Sequence, residues 1–406
     1  MKQSVIGKGL LVLVVVSLLA IPGISSAKGW APDISFDEPG SSSPEHLAVS
    51  SYRKAQVNLG LTDEDKVKNA IDTYFRLRYE SQRLLEAQDF SFLIADGSQA
   101  RQWAKNEQDK REIELFVALN YRLNYVEYEY FLDYKTVEVK DNDAIVRLWE
   151  SHNVVFEVMA PQISKLGGLE HIITLHKSDI GWVIVDDQYQ DELTQLMFNE
   201  TKHEIIERVR RNREAELQHA TQFTISNQKS EQTAINSGTW HSYNRTAAVS
   251  YADTWWNGRN PAWGNFDPPN GDGDCTNYIS QVIYAGAPQM DDTGSYQWYY
   301  YNYWNRAPSW TDVSSLYTYL TYNTWTGPYG YNVSGPCPLQ GGDVVQLHNG
   351  SYWSHSLVVV STYYPNQCWD PSYVWYNAHY TDRYHYPLSY VSGYTKRYIQ
   401  IAGWRD

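Results

Sequence analysis

The sequence predicts an α+β chain with two ordered regions, and three observations carry that reading. Residues from about 62 to 121 place their apolar side chains at helical spacing, and residues 125 to 185 switch to a period near two. A polar stretch over 221–238 holds few large apolar residues and reads as a linker. Beyond it the composition breaks: residues 241–406 contain one Lys, no Glu and 36 of the chain's 50 Tyr and Trp residues. Such a break marks a domain boundary, and the regions 55–200 and 241–406 are each long enough to bury a core.

The first region opens on Asp63-Glu-Asp-Lys, where carboxylates meet the positive end of a helix. Val67, Ile71, Tyr74 and Phe75 then form an apolar stripe, and a second helix is predicted over 97–120. Strands are predicted over Tyr125–Val139, Asn142–Trp149, Leu169–His176 and Gly181–Val185. Helices followed by a meander resemble, in topology, the cone-shaped cystatin-like and nuclear-transport-factor-like domains, which often carry no chemistry. Asp186, Asp187 and His176 are accordingly assigned a structural or docking role. The region is expected to position the chain or recruit a protein partner. A helix from Thr201 to about Ala220 and the linker make up 201–240.

The amino terminus reads as a signal peptide over 1–27. Lys2 and Lys8 supply a positive start, Ser25-Ser26-Ala27 a small-residue cleavage site, and the apolar run Leu10–Ile21 is shorter than the roughly 18 residues a membrane span needs. Residues 28–54 form a flexible leader. A secreted or cell-wall-associated protein is expected, with no stable membrane span after cleavage. The net charge of −14 excludes nucleic acid as a partner. The Arg208–Arg213 cluster lies among Glu204, Glu207, Glu214 and Glu216, as on a solvated, ion-paired helix face. Of three cysteines, Cys337 and Cys368 are the easiest pair to bridge, leaving Cys275 free; other pairings and a fully reduced chain stay open.

Chemistry centres on Gly271-Asp-Gly-Asp-Cys-Thr-Asn-Tyr-Ile-Ser-Gln, where a Gly/Asp loop enters a helix and Cys275 falls in the first turn. A helix N-terminus favours thiolate over thiol. Cys275, Ile279, Val282 and Gly286 share a stripe, so the sulfur points into the protein, as a nucleophile facing a base or as a small core thiol. Gly341–His348 and Tyr352–Ser361 read as a hairpin turning at Asn349-Gly350, with His355 at the front of the second strand. Asn377 and His379, on the next strand, project from one face, and either could orient the imidazole of His355. A glycosidase would need two of eleven Asp residues, none in a supporting motif. His355, His379, Asp382 and His385 lack zinc-site spacing, so neither metal nor cofactor is expected. The aromatic run Trp298–Trp304 is read as loop packing in preference to a sugar-stacking surface.

The blocks Tyr243-Asn-Arg-Thr-Ala-Ala-Val-Ser-Tyr-Ala-Asp, Asn260-Pro-Ala-Trp, Gly273-Asp-Cys-Thr-Asn-Tyr-Ile-Ser-Gln, Gly342-Asp-Val-Val and Ser354-His-Ser resemble the bacterial putative amidase domain family. That family is related to papain-like cell-wall amidases and peptidases, including the CHAP type. The resemblance covers 241–406 and implies a papain-like domain with Cys275 as nucleophile and His355 as general base. His379-Tyr-Thr-Asp382 favours His379 as third member, papain-like logic equally Asn377, with Asp382 a weaker candidate. Asn260 or Tyr251 would assist the oxyanion, Asp274 and Asn277 would shape the loop and cap the helix, and Asp343 would pin a strand start. The expected function is an exported cysteine amidase or peptidase acting on peptide or peptidoglycan amides through a thioester. The alternative is a non-catalytic cell-wall- or glycan-binding protein on an inactive hydrolase fold.

Overall fold

A computed structural model of the chain describes residues 60–222, 238–271, 273–363 and 369–406. The expected signal and leader segments, most of the linker and Cys368 lie outside the described residues.

Helices α1 (Asp63–Leu84) and α2 (Ser98–Tyr121) come first. The acidic start of α1 is a capping box: the Thr62 hydroxyl accepts from the Asp65 N–H, and the Asp65 carboxylate accepts from the Thr62 N–H. The alternating pattern then folds as β1 (Tyr125–Lys140), β2 (Asp143–Phe156), β3 (Ile163–Ser178) and β4 (Gly181–Gln188). Two further helices follow, α3 (Glu192–Asn199) and α4 (Lys202–Gln222).

The second region contains β5 (Trp240–Ser242), α5 (Arg245–Thr254) and α6 (Cys275–Gly286). A small hairpin, β6 (Tyr300–Asn302) with β7 (Asn305–Arg306), precedes α7 (Pro308–Thr311) and α8 (Val313–Tyr322). The remaining strands are β8 (Gly327–Val333), β9 (Val344–His348), β10 (Trp353–Thr362), β11 (Val374–Ala378), β12 (Asp382–Pro387) and β13 (Thr395–Arg405). Helices with an antiparallel sheet make an α+β fold, as the sequence predicts.

One eleven-stranded sheet runs through both regions, in the order β1-β2-β3-β12-β11-β10-β9-β13-β5, with β4 beside β3 and β8 beside β13. The seam is β3 with β12, where Asp382, Arg383 and Tyr384 pair with Gly167, Leu166 and Lys165. Helix α6 packs against α5 and β10. The sequence predicts one buried stripe on it; instead every residue from Cys275 to Ile283 is buried. Its end sits so close to Tyr243 that a Cβ on Gly286 would lie 2.3 Å from the ring. No described helix is long and apolar enough to cross a membrane.

The aromatic run divides. Trp298 is fully buried, its ring 4.7 Å from that of Trp310, whereas Trp304 at the end of the run is 89% exposed.

Candidate active site

Gly273, at φ +135°, turns the chain into α6, a conformation that a side chain would strain. Cys275 is then the first residue of the helix, 8% exposed. Its sulfur lies 3.7 Å from the Thr276 hydroxyl, which in turn meets the Ser356 hydroxyl of β10 at 3.1 Å. Next to Ser356 stands His355, also buried. Burial pushes the thiol up, but the facing His355 imidazole, by charge and by direct contact, outweighs it with help from the Ser356 backbone. The thiol therefore lies below its ordinary range. Burial pushes His355 down, yet the Cys275 thiolate and then Glu192 pull it up against Arg383, so the ring lies above its ordinary value. The two shifts have opposite senses, and together they favour the thiolate–imidazolium form of the pair.

The structure brings Cys275 and His355 together and, contrary to expectation, leaves Asn377 and His379 bonded elsewhere. His355 Nε2 is buried with no hydrogen-bond partner among the described residues. The reason is register. Asn377 lies opposite Val358, and pairing is regular from His355 to Val358, so an odd step puts His355 on the other face of the sheet. The Asn377 amide donates to Asp253 at 2.9 Å, and its oxygen accepts from the His385 N–H at 2.7 Å. His379 meets Asp274 Oδ2 at 2.7 Å and the Trp255 carbonyl at 2.6 Å, with its ring stacked on Tyr278. Asp382 accepts from Arg259 at 2.9 Å.

Other expectations are met in altered form. Asp274 occupies the N-cap position of α6 but makes no capping bond with its side chain. It accepts instead from the Phe266 N–H and the Asn277 amide, and it faces His379 and the Arg259 guanidinium, whose charge opposes its own next to the thiol. Asn277 ties the preceding loop down through the Gly264 carbonyl. Asn260 donates to Tyr251, and Tyr251 to Gln281, so the two proposed oxyanion helpers are tied to each other and to the helix that carries Cys275. Asp343 does pin a strand start: it accepts from Arg245, Ile401 and Gln340, and burial pushes it up to about 6 against the opposing Arg245.

In the first region Asp187 opens a buried hydrogen-bonded chain. It meets His171, His171 meets Glu150, Tyr79 joins Glu150 to His152, and His152 meets Tyr386 of β12. Exposed His176 pairs with Asp143, and Asp186 accepts from Gln188. Among the described residues no three His, Cys, Asp or Glu side chains gather closely enough to hold a metal ion. His385 is bonded to Asp253. Cys337 is disulfide-bonded and Cys275 is free; the other end of the expected bridge, Cys368, lies outside the described residues.

Four residues at the site escape a reading of motifs: Tyr380, Gln190, Glu192 and Arg383. Tyr380, at φ +94°, sets its ring 6.3 Å from that of His355, and a Cβ on Gly273 would lie 3.6 Å from it. Its hydroxyl donates to Gln190 at 2.6 Å. Glu192 and Arg383 form a buried ion pair behind His355. Gln190 and Glu192 come from the first region, where no pattern ties them to a site so distant in sequence.

Residues 242–402 match the family model described as a putative amidase domain. Over 124 residues the chain is 35% identical to the uncharacterized protein YhbB of Bacillus subtilis (strain 168), a match covering 29% of this chain and 37% of that protein. The chain thus spans little more than a third of the curated relative it matches. No solved structure matches it at a comparable level of significance. The second region is therefore similar to the putative amidase domain family over nearly its whole length.

Proposed function

We propose that this chain is an exported cysteine amidohydrolase, an amidase or peptidase, that cleaves amide bonds in cell-wall peptide with Cys275 as nucleophile and His355 as base. The observation that carries the reading is the buried pair itself, in which the imidazole draws the thiol down and the thiolate draws the imidazole up. In the reaction His355 holds the thiol proton while the Cys275 sulfur attacks the carbonyl carbon. The oxyanion develops beside the first backbone N–H groups of α6, which have no partner within the helix. His355 then gives its proton to the leaving amine, and water releases the acid from the thioester. No step needs an orienting third residue; Glu192 biases His355 towards its charged form, and Asn377 and His379 brace the scaffold. We read the second region as papain-like and the first as a cystatin-like cone that extends the site. The disulfide at Cys337 supports export to an oxidising compartment, secreted or bound at the wall.

The test is labelling of the mature protein with iodoacetamide across pH, mapping the modified cysteine, alongside His355→Ala and an assay of amide release from wall peptides. Labelling of Cys275 well below about pH 8.5, the ordinary value of a free thiol, and its loss in the variant are expected. Labelling like that of an ordinary thiol would overturn the reading and leave wall or glycan binding without catalysis as the function to pursue.

A further inference from the structure

A cleft of about 1560 Å³ is lined by the first region together with Arg259, Asp267 and Pro268 of the loop that leads towards Cys275. It exceeds the ~300–1,000 Å³ usual for a small-molecule pocket, so it suits an extended ligand. One wall is α2, β3 and α3; the other carries Arg259, Tyr380 and Asp382. Tyr380 is thus shared: it lines the cleft, and its ring lies 6.3 Å from that of His355.

The lining decides the ligand's chemistry. Its charges are mostly spent within the protein. Glu107 is shared by Arg78 and Arg111, Glu170 meets Arg147, Asp187 meets His171, Lys110 meets Asp191, and Arg259 holds both Asp267 and Asp382. Asp186 accepts from an amide, that of Gln188. The lining itself carries six carboxylates to two cations, so it repels an anionic chain, and most of those groups are already engaged within the protein. What it does offer is amides, such as Gln99, Gln102 and Asn106 on α2, and two aromatic rings, Phe198, 91% exposed, and Trp149, 44% exposed with Lys135 over one of its faces. Amides match hydroxyl groups, because both donate and accept, and flat aromatic faces match the apolar faces of sugar rings.

We propose that this cleft binds an uncharged, hydroxyl-rich glycan chain, which approaches Cys275 past Tyr380. The inference deepens the amidase reading, because it assigns the first region to holding the sugar part of the substrate.

The test is isothermal titration of the full chain carrying Cys275→Ser with the hexasaccharide of β-1,4-linked N-acetylglucosamine, and separately with a stem peptide freed of its glycan. The saccharide is expected to bind, and Trp149→Ala and Phe198→Ala are each expected to weaken it about tenfold with unchanged melting temperature. Absence of saccharide binding at millimolar concentration, or binding indifferent to both substitutions, overturns the proposal. Peptide binding that depends on Trp149 and Phe198 also overturns it, by giving the cleft to peptide. Thiol labelling of the unsubstituted chain separates the two readings. A reactive Cys275 with no saccharide bound removes only this inference, and bound saccharide over an inert thiol removes only the amidase.

Discussion

Glu192 and Arg383 form a two-point ion pair, with Nε to Oε1 at 3.1 Å and Nη2 to Oε2 at 2.8 Å, and neither side chain is more than 5% exposed. One partner comes from α3 and the other from β12, so the pair ties the two regions together behind His355. Removing one partner strands a buried charge, a loss of about 3–5 kcal/mol. Glu192→Gln is expected to destabilise the protein by that order in chemical denaturation, and Glu192→Met with Arg383→Met by less than the single change. A single-variant loss below about 1 kcal/mol would mean that the pair behaves as if it were solvated.

Tyr380 is expected to control access to the thiol. Its ring is held by the Gln190 hydrogen bond, worth about 1 kcal/mol, and its backbone sits in a conformation that side chains rarely adopt. Gln190→Ala should therefore speed iodoacetamide labelling of Cys275 about fivefold, and Tyr380→Ala by more. The midpoint of the pH profile should stay put, because neither change removes His355. Unchanged rates in both variants would show that the ring does not limit entry.

Asn377→Ala is expected to act on stability and not on the thiol. It removes bonds to Asp253 and to the His385 N–H, at a cost of about 1–3 kcal/mol. The labelling midpoint of Cys275 should be unmoved, whereas His355→Ala should raise it. A midpoint that rises in Asn377→Ala would restore Asn377 as an orienter of His355.

Stability should fall on the alkaline side through His171. Burial pushes this ring down, but Asp187 and Glu150 outweigh it and bring it to about 9, against an ordinary 6.5. The folded protein holds that proton more tightly than the unfolded chain, so the contribution is full below pH 6.5 and is lost as pH rises through 9. Glu107, held to about 2 by Arg78 and Lys110 against burial, acts in the opposite sense, losing its contribution as pH falls from 4.5 towards 2. Melting temperature between pH 6 and 10 is the measurement. His171→Gln should lower the whole curve and flatten its alkaline decline; a decline of unchanged slope would exclude His171 as its source.

Much of this was legible in local pattern. The four strands of the first region, the hairpin at Asn349-Gly350 and the helix that starts at Cys275 follow from period, turn chemistry and a Gly/Asp entry loop. The pairing of Cys275 with His355 follows from motifs whose residues stand close to helix and strand starts. The illegible part is non-local. Helix α3 is eight residues long, too short for periodicity to declare. The face on which Asn377 lies depends on the β10–β11 register, which no single strand reveals. Gln190 and Glu192 reach the site because β3 finds β12, a pairing between strands of different regions.

That pairing also governs how such a protein can be cut or recombined. Three residues of β12 find their backbone partners on β3, and a strand deprived of its neighbour is a template for other chains. A gene encoding only the second region would yield a sheet ending raw at β12, and one encoding only the first region would leave Lys165, Leu166 and Gly167 of β3 without their partners, beside the stretch that β4 covers. Cutting the chain between the regions would therefore open this seam on both pieces, and the second region alone would have to find a new border strand for β12.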